Sequence, residues 1–127
     1  MNKTILRTAL SLGALTIVLG AFGAHGLKSM VTADKVASYT TGVTYQMYHT
    51  LFLLFIGTTS LLTAKSKKQI FILTLIGVVL FSFSIYFLST ASITGIDIGS
   101  IAFVTPIGGV FLIAAWVMAA IKVIGQK

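Results

Sequence analysis

Four stretches of the chain run without a charged residue: Thr8–Leu27, Val36–Ala64, Gln69–Ile96 and Ile98–Ile121, of 20, 29, 28 and 24 residues. A helix needs roughly 20 apolar residues to cross the hydrocarbon core of a bilayer, and only helices or closed barrels satisfy their backbone hydrogen bonds there. Apolar and polar positions do not alternate with period two, so the pattern predicts helices rather than barrel strands. Helix signals trim the runs to spans near 5–27, 43–64, 70–91 and 100–121, four in all. Between the first two, VTADKVASYTTG carries Val36, Tyr39, Thr40 and Val43 at helical spacing. With Thr32 as N-cap and Asp34 in the first turn, it predicts a short interfacial helix over Ala33–Thr41, broken from the second span at Gly42.

Charge then orients the spans. Lys3 and Arg7 precede the first, Lys65, Lys67 and Lys68 separate the second from the third, and Lys122 and Lys127 follow the fourth. Only Lys28 and Lys35 lie on the other side, together with both acids, Asp34 and Asp97. By the positive-inside rule, both termini are cytoplasmic. The expected architecture is an all-α integral membrane protein, with residues 1–127 forming one compact four-helix bundle, N-in and C-in. MNKTILR followed by TALSLGALTIVLG also resembles a signal peptide, with Ala21-Phe22-Gly23 as a poor cleavage site. The length of the apolar run and its glycines favour a retained helix.

Composition narrows the chemistry. Of 127 residues, 57% are hydrophobic and 9% charged, against about 25% charged in soluble domains. Without cysteine, thiolate metal sites, Fe–S clusters and cysteine nucleophiles are excluded. The net charge of +7 is distributed between apolar runs, so it reads as membrane topology and not as a nucleic-acid face.

Small residues mark packing faces. Gly13, Gly20 and Gly23, with Ala9 and Thr16, form a stripe along the first span, and Gly108 and Gly109 stand in the fourth. Such stripes let helices approach closely. The second span puts Gly42, Gln46, His49, Leu53, Ile56, Ser60 and Thr63 on one face, with Tyr45 adjoining. His25 ends the first span, Ser82, Ser84 and Tyr86 lie in the later half of the third, and Thr105 opens the fourth. These groups converge on the outer half of the bundle.

The expected ligand-binding or polar cluster is therefore His25, Tyr45, Gln46, His49, Ser84, Tyr86 and Thr105. An unpaired imidazole at depth is costly, so His49 is expected to bond to Gln46, Tyr86 or Thr105. Such bonds serve equally to fix helix register or to hold a ligand. Tyrosines and Trp116 read as interfacial anchors. No carboxylate lies within a span, so paired acid–base catalysis is unavailable and no catalytic residue is assigned. His25 and His49 make a pair without a metal-ligand spacing, so no metal site is assigned either.

GAFGAHG in the first span, TGVTYQMYHTLFLL in the second, LFSFSIY in the third and AFVTPIGGVFLIAAW in the fourth resemble the signature stretches of a small bacterial membrane family. This is domain of unknown function 423, to which animal transmembrane protein 256 is similar. Phe83 and Thr44 depart from the family pattern, standing where many relatives carry glycine and some an acid. The resemblance implies a four-span protein of the bacterial inner membrane that retains its first helix; it brings no activity or cofactor. The expected function is a non-enzymatic binding, assembly or accessory protein whose partners are the lipid bilayer and a homo-oligomer or another membrane protein, with no nucleic acid. The alternatives are a small oligomeric transporter or channel, and a lipid-, quinone-, metal- or haem-binding protein using His25 and His49.

Overall fold

The computed structural model describes residues 2–125, and every regular element among them is helical. Four long helices dominate: α1 (Lys3–Ala24), α2 (Ala33–Thr58), α3 (Ala64–Ser89) and α4 (Val104–Ile124). Short 3-10 turns at Leu27–Ser29 and Gly99–Ile101, and one helical turn at Ala91–Thr94, make the connections. That last turn stops at Gly95, whose φ of 72° is the left-handed conformation glycine adopts without steric penalty.

Neighbouring helices run antiparallel. The Asn2 amide, at the head of α1, donates to the Gly57 carbonyl at the foot of α2 (2.8 Å). Ser82, late in α3, donates to the Gly42 carbonyl, early in α2 (2.8 Å). Ser84, also late in α3, bonds to Thr105 at the head of α4 (2.6 Å). α1 packs along α2, α3 packs along α4, and the two pairs join mainly through α2 and α3. The head of α1, the foot of α2, the head of α3 and the foot of α4 thus share one end of the bundle, which gathers Lys3, Arg7, Lys65, Lys67, Lys68 and Lys122.

Lipid, not water, suits the outer surface. Leu10, Ile17, Val18, Val110, Ile113, Val117 and Ile121 are largely exposed on α1 and α4, more contiguous apolar surface than a water-soluble monomer carries. The segments Lys3–Ser29, Ala64–Ser89 and Gly99–Ile124 are long and apolar enough to cross a membrane. α2, at 26 residues, has the length, about 39 Å at 1.5 Å per residue. Its apolarity is diluted by Gln46, His49 and Thr50, all of which are buried against neighbours.

Three expectations need correction. No separate interfacial helix exists at Ala33–Thr41: α2 continues unbroken through Gly42 to Thr58. Gly42 is there for close approach. A Cβ on it would lie 2.8 Å from the Tyr86 ring and 3.3 Å from the Ser82 carbonyl oxygen. Asp34 bonds to the Thr32 hydroxyl at the head of α2, but the Thr32 side chain makes no capping bond to the backbone. Secondly, Lys65, Lys67 and Lys68 are not in a connecting loop. Thr63 caps α3 by accepting from the Ser66 amide (3.2 Å), so the helix starts before the lysines, and α2 stops at Thr58 rather than near residue 64. Lys67 is buried and reaches the Gly57 carbonyl (3.5 Å), placing a cation at the negative end of α2. Thirdly, the last long helix begins at Val104 and runs to Ile124, a few residues beyond 100–121 at its foot.

The basic end encloses an apolar core of Ile5, Ala9, Phe52, Leu53, Ile56, Leu62, Ile70, Ala115 and Ala119. Toward the other end, α3 passes through a π-turn at Val79–Phe83, directly against α4. A Cβ on Gly108 would lie 2.4 Å from the Phe81 amide nitrogen and 2.6 Å from the Leu80 carbonyl carbon. The two backbones touch there, and only glycine fits.

Candidate functional site

Polar side chains from the middle of the bundle to the end remote from the lysines are arranged as links between helices. Gln46 is fully buried on α2, and its Oε1 accepts from the Tyr86 hydroxyl of α3 (2.6 Å). The Tyr86 ring lies 5.0 Å from that of Tyr39, whose own hydroxyl donates to the Leu19 carbonyl of α1 (2.8 Å). A continuous chain of contacts therefore runs from α1 through α2 to α3.

Ser84 and Thr105 make a second link, and the π-turn explains it. A π-turn frees carbonyls from the regular ladder, and the Ser84 hydroxyl lies 2.5 Å from the Leu80 oxygen and 2.9 Å from the Phe81 oxygen. A hydroxyl has one proton. With that proton directed to the two carbonyls, the Ser84–Thr105 bond has Thr105 as its donor. One serine thus repairs the ladder of α3 and ties it to α4.

His49 makes the third link, at the middle of the bundle and not in the half where the sequence pattern placed it: its chain neighbour Thr50 faces Gly13, halfway along α1, and Trp116 is mid-helix in α4. The His49 Nδ1 lies 2.6 Å from the Tyr45 carbonyl oxygen one turn earlier, and its Nε2 lies 3.0 Å from the indole Nε1 of Trp116. A carbonyl can only accept and an indole N–H can only donate. The arrangement therefore assigns the ring as neutral, protonated on Nδ1, with the Nε2 lone pair engaged. Trp116 also stacks on Phe52 of α2, ring centroids 4.2 Å apart and planes at 24°.

Among the residues expected to cluster, Gln46 meets Tyr86, Ser84 meets Thr105, and His49 meets neither pair. Tyr45 contributes its carbonyl to His49, while its ring is partly exposed and leans on Tyr48 and Phe81. His25 stands exposed at the C-cap of α1 and is not brought to His49. Trp116 is the partner that the sequence analysis assigned elsewhere. It stands mid-helix in α4. The available signal was its depth: an indole N–H far from water needs an acceptor, and His49 supplies one.

Of the small residues, Gly13, Gly20 and Gly23 face Thr50, Val43 and Tyr39 of α2, with ideal Cβ distances of 3.4, 3.3 and 2.6 Å. Gly109 has room, its nearest neighbour being the Phe81 ring at 3.8 Å. It borders a lipid-facing hollow of about 390 Å³ shared with Tyr45, His49, Phe81 and Trp116. Above the Ser84–Thr105 bond a cleft of about 420 Å³ opens between α2, α3 and α4, lined by Lys35, Ser38, Thr41, Ser89 and Thr105. Among the described residues, two buried polar atoms, Gln46 Nε2 and Ser89 Oγ, have no protein partner. No group of three or more His, Cys, Asp or Glu positioned to hold a metal occurs among the described residues.

Comparison with known proteins gives consistent relatives. Residues 19–109 match the family described as Protein of unknown function (DUF423). A UPF0382 membrane protein of Staphylococcus saprophyticus is 40% identical over 120 residues, covering 91% of this chain and 96% of that one. The UPF0382 membrane protein YwdK of Bacillus subtilis is 38% identical, with 87% of each chain covered. The UPF0382 inner membrane protein YgdD of Escherichia coli is 33% identical, covering 91% of this chain and 85% of the relative. No solved structure matches.

Proposed function

The chain belongs to the DUF423 family of membrane proteins, and from that premise we propose that it is a non-enzymatic assembly or accessory protein of the inner membrane. In this reading it crosses the bilayer four times, with both termini in the cytoplasm. α2 is the fourth span, carried by neighbours that cover its polar side. The end of the bundle with Lys3, Arg7, Lys65, Lys67, Lys68 and Lys122 is the cytoplasmic one.

The observation that carries the functional reading is His49. Both ring nitrogens are engaged, one by an obligate acceptor and one by an obligate donor. A proton carrier or a metal or haem ligand needs a free nitrogen, and the exposed His25 at the end of α1 offers no second ligand beside it. Gln46–Tyr86 and Ser84–Thr105 likewise join helices. Polar groups so used fix which face of each helix meets which neighbour.

The test compares wild type with His49→Gln, extracted gently for native mass spectrometry and reconstituted in vesicles for flux. Both proteins are expected to fold, to carry the same stoichiometric partner, whether a second copy or another membrane protein, and to pass no solute. A flux, or a haem absorbance, present in wild type and lost in a folded His49→Gln variant would overturn the reading. Orientation is read separately: in intact cells Lys68→Cys should resist an impermeant thiol reagent and Ser92→Cys should react. The reverse pattern inverts the topology and leaves the role of His49 as it stands.

A further inference from the structure

At the basic end, the first turns of α3 and the last turn of α4 enclose a pocket of about 480 Å³. Lys65 lines it from α3 and Lys122 from α4, with Gln69 one turn deeper and Ile121 beside it. Thr63 and Ser66 also line it, but their polar groups serve the cap of α3: Thr63 Oγ1 accepts from the Ser66 amide and donates to the Ser66 hydroxyl (3.0 Å). Lys65, Gln69 and Lys122 are exposed and remain as donors. The chain's two acidic side chains, Asp34 and Asp97, both stand at the opposite end. The pocket adjoins the positive end of the α3 dipole and the negative end of the α4 dipole, which offset each other, so its positive charge comes from the two lysines.

We propose that this pocket binds the phosphate of an anionic phospholipid headgroup, with Lys65 and Lys122 as its two cationic walls and Gln69 as a hydrogen-bond donor beneath them. Two lysines on different helices, with no acidic side chain beside them among the described residues, select against a headgroup that carries its own ammonium, because that cation would be forced against them. A phosphate with an uncharged head, such as phosphoglycerol, meets no such repulsion. The apolar outer faces of α3 and α4 continue from the pocket into the bilayer, which favours a lipid over a free phosphate as the source. Basic pockets between helices at membrane level hold anionic headgroups by the same forces. The site rests on the bundle being embedded in a membrane, and not on which end faces the cytoplasm or on the role of His49.

Delipidated wild-type protein is titrated with phosphatidylglycerol, with phosphatidylethanolamine of the same acyl chains, and with inorganic phosphate, and bound mass is read by native mass spectrometry. One phosphatidylglycerol is expected to bind at least about tenfold more tightly than phosphatidylethanolamine. Lys65→Gln/Lys122→Gln should erase that preference. Lys3→Gln/Lys68→Gln, which removes equal charge from the same end outside the pocket, should retain it. Equal losses in the two double variants would mean diffuse attraction and no site. Equal affinity for the two lipids in wild type would also overturn the proposal, as would inorganic phosphate displacing the lipid at comparable concentration. Should the pocket variant fail to fold, the wild-type protein still decides: phosphatidylglycerol must raise its melting temperature more than phosphatidylethanolamine does.

Discussion

The two halves of the bundle are held by different physics. Around Ile56 and Ile70 the helices meet through side-chain volume, with Phe52, Leu53, Ala115 and Ala119 filling the space between them. From His49 at mid-bundle to Ser84 at the far end they meet through close approach at Gly42 and Gly108 and through three links between side chains, with Ser82 and Tyr39 adding bonds to backbone carbonyls. In water both halves would gain from the hydrophobic effect. In a bilayer the surrounding chains are as apolar as the core, so the first half gains only packing, while the second adds hydrogen bonds whose alternative is an unpaired group in oil. Volume tolerates many solutions; three donor–acceptor pairs on three helix contacts tolerate one register. The polar half therefore specifies the arrangement and the apolar half fills it.

The largest effect that sharpens this contrast is expected at Gly108. Gly108→Leu drives a side chain into the backbone of the π-turn, which cannot swing aside, and should cost more than about 3 kcal/mol, above the usual range for overpacking. The measurement is folded yield and reversible unfolding in mixed micelles; a stability loss under 1 kcal/mol would mean that the close contact is not what holds α3 and α4 together.

Intermediate effects separate the halves by their chemistry. Ile56→Ala should cost about 2–3 kcal/mol through lost contacts and an unfilled cavity. Tyr86→Phe should cost about 1–2 kcal/mol, because it leaves the whole Gln46 amide buried without a partner. Adding Gln46→Leu to Tyr86→Phe should then recover most of that loss, since the double variant has no polar atom left to satisfy. Unfolding of the two single variants and the double variant forms a cycle, and additive losses would place the polar half on the same footing as the apolar one.

The smallest effect is expected at Trp116. Trp116→Phe retains a ring to stack on Phe52 but leaves His49 Nε2 without its donor, and should cost about 0.6 kcal/mol, the average for hydrogen bonds between membrane helices. Indole removal that left the NMR shift of His49 Nε2 unchanged would show that the bond does not form.

Helix number was legible because charges are too costly in hydrocarbon to be scattered, so the gaps between them mark long helices. Helix ends were not. The backbone ladder of α3 begins at Ala64 and runs through three lysines, because Thr63 caps it and Lys67 turns toward the end of α2. Gly42 looked like a break because glycine weakens helices in isolation, but here it admits the Tyr86 ring. At the candidate site, spacing put Gln46 and His49 on one side of α2. It could not say that Gln46 meets α3 while His49 meets α4, since periodicity gives a face and not a neighbour. Trp116 escaped because an aromatic residue is first taken for an interfacial anchor, and only its depth in α4 argues otherwise.

The distribution of partners around α2 also sets an order of events during biogenesis. Its contacts with α1 are made by glycines, by Tyr39 and by apolar side chains such as Ile5 and Leu6, so those two helices can pair as soon as they have left the ribosome. Gln46 and His49 must wait, one for Tyr86 on α3 and the other for Trp116 on α4. In the four-span reading, until α4 arrives the nascent hairpin holds an amide and an imidazole in the bilayer with their partners not yet synthesised. That interval is a vulnerability built into the fold, and the C-terminal helix closes it.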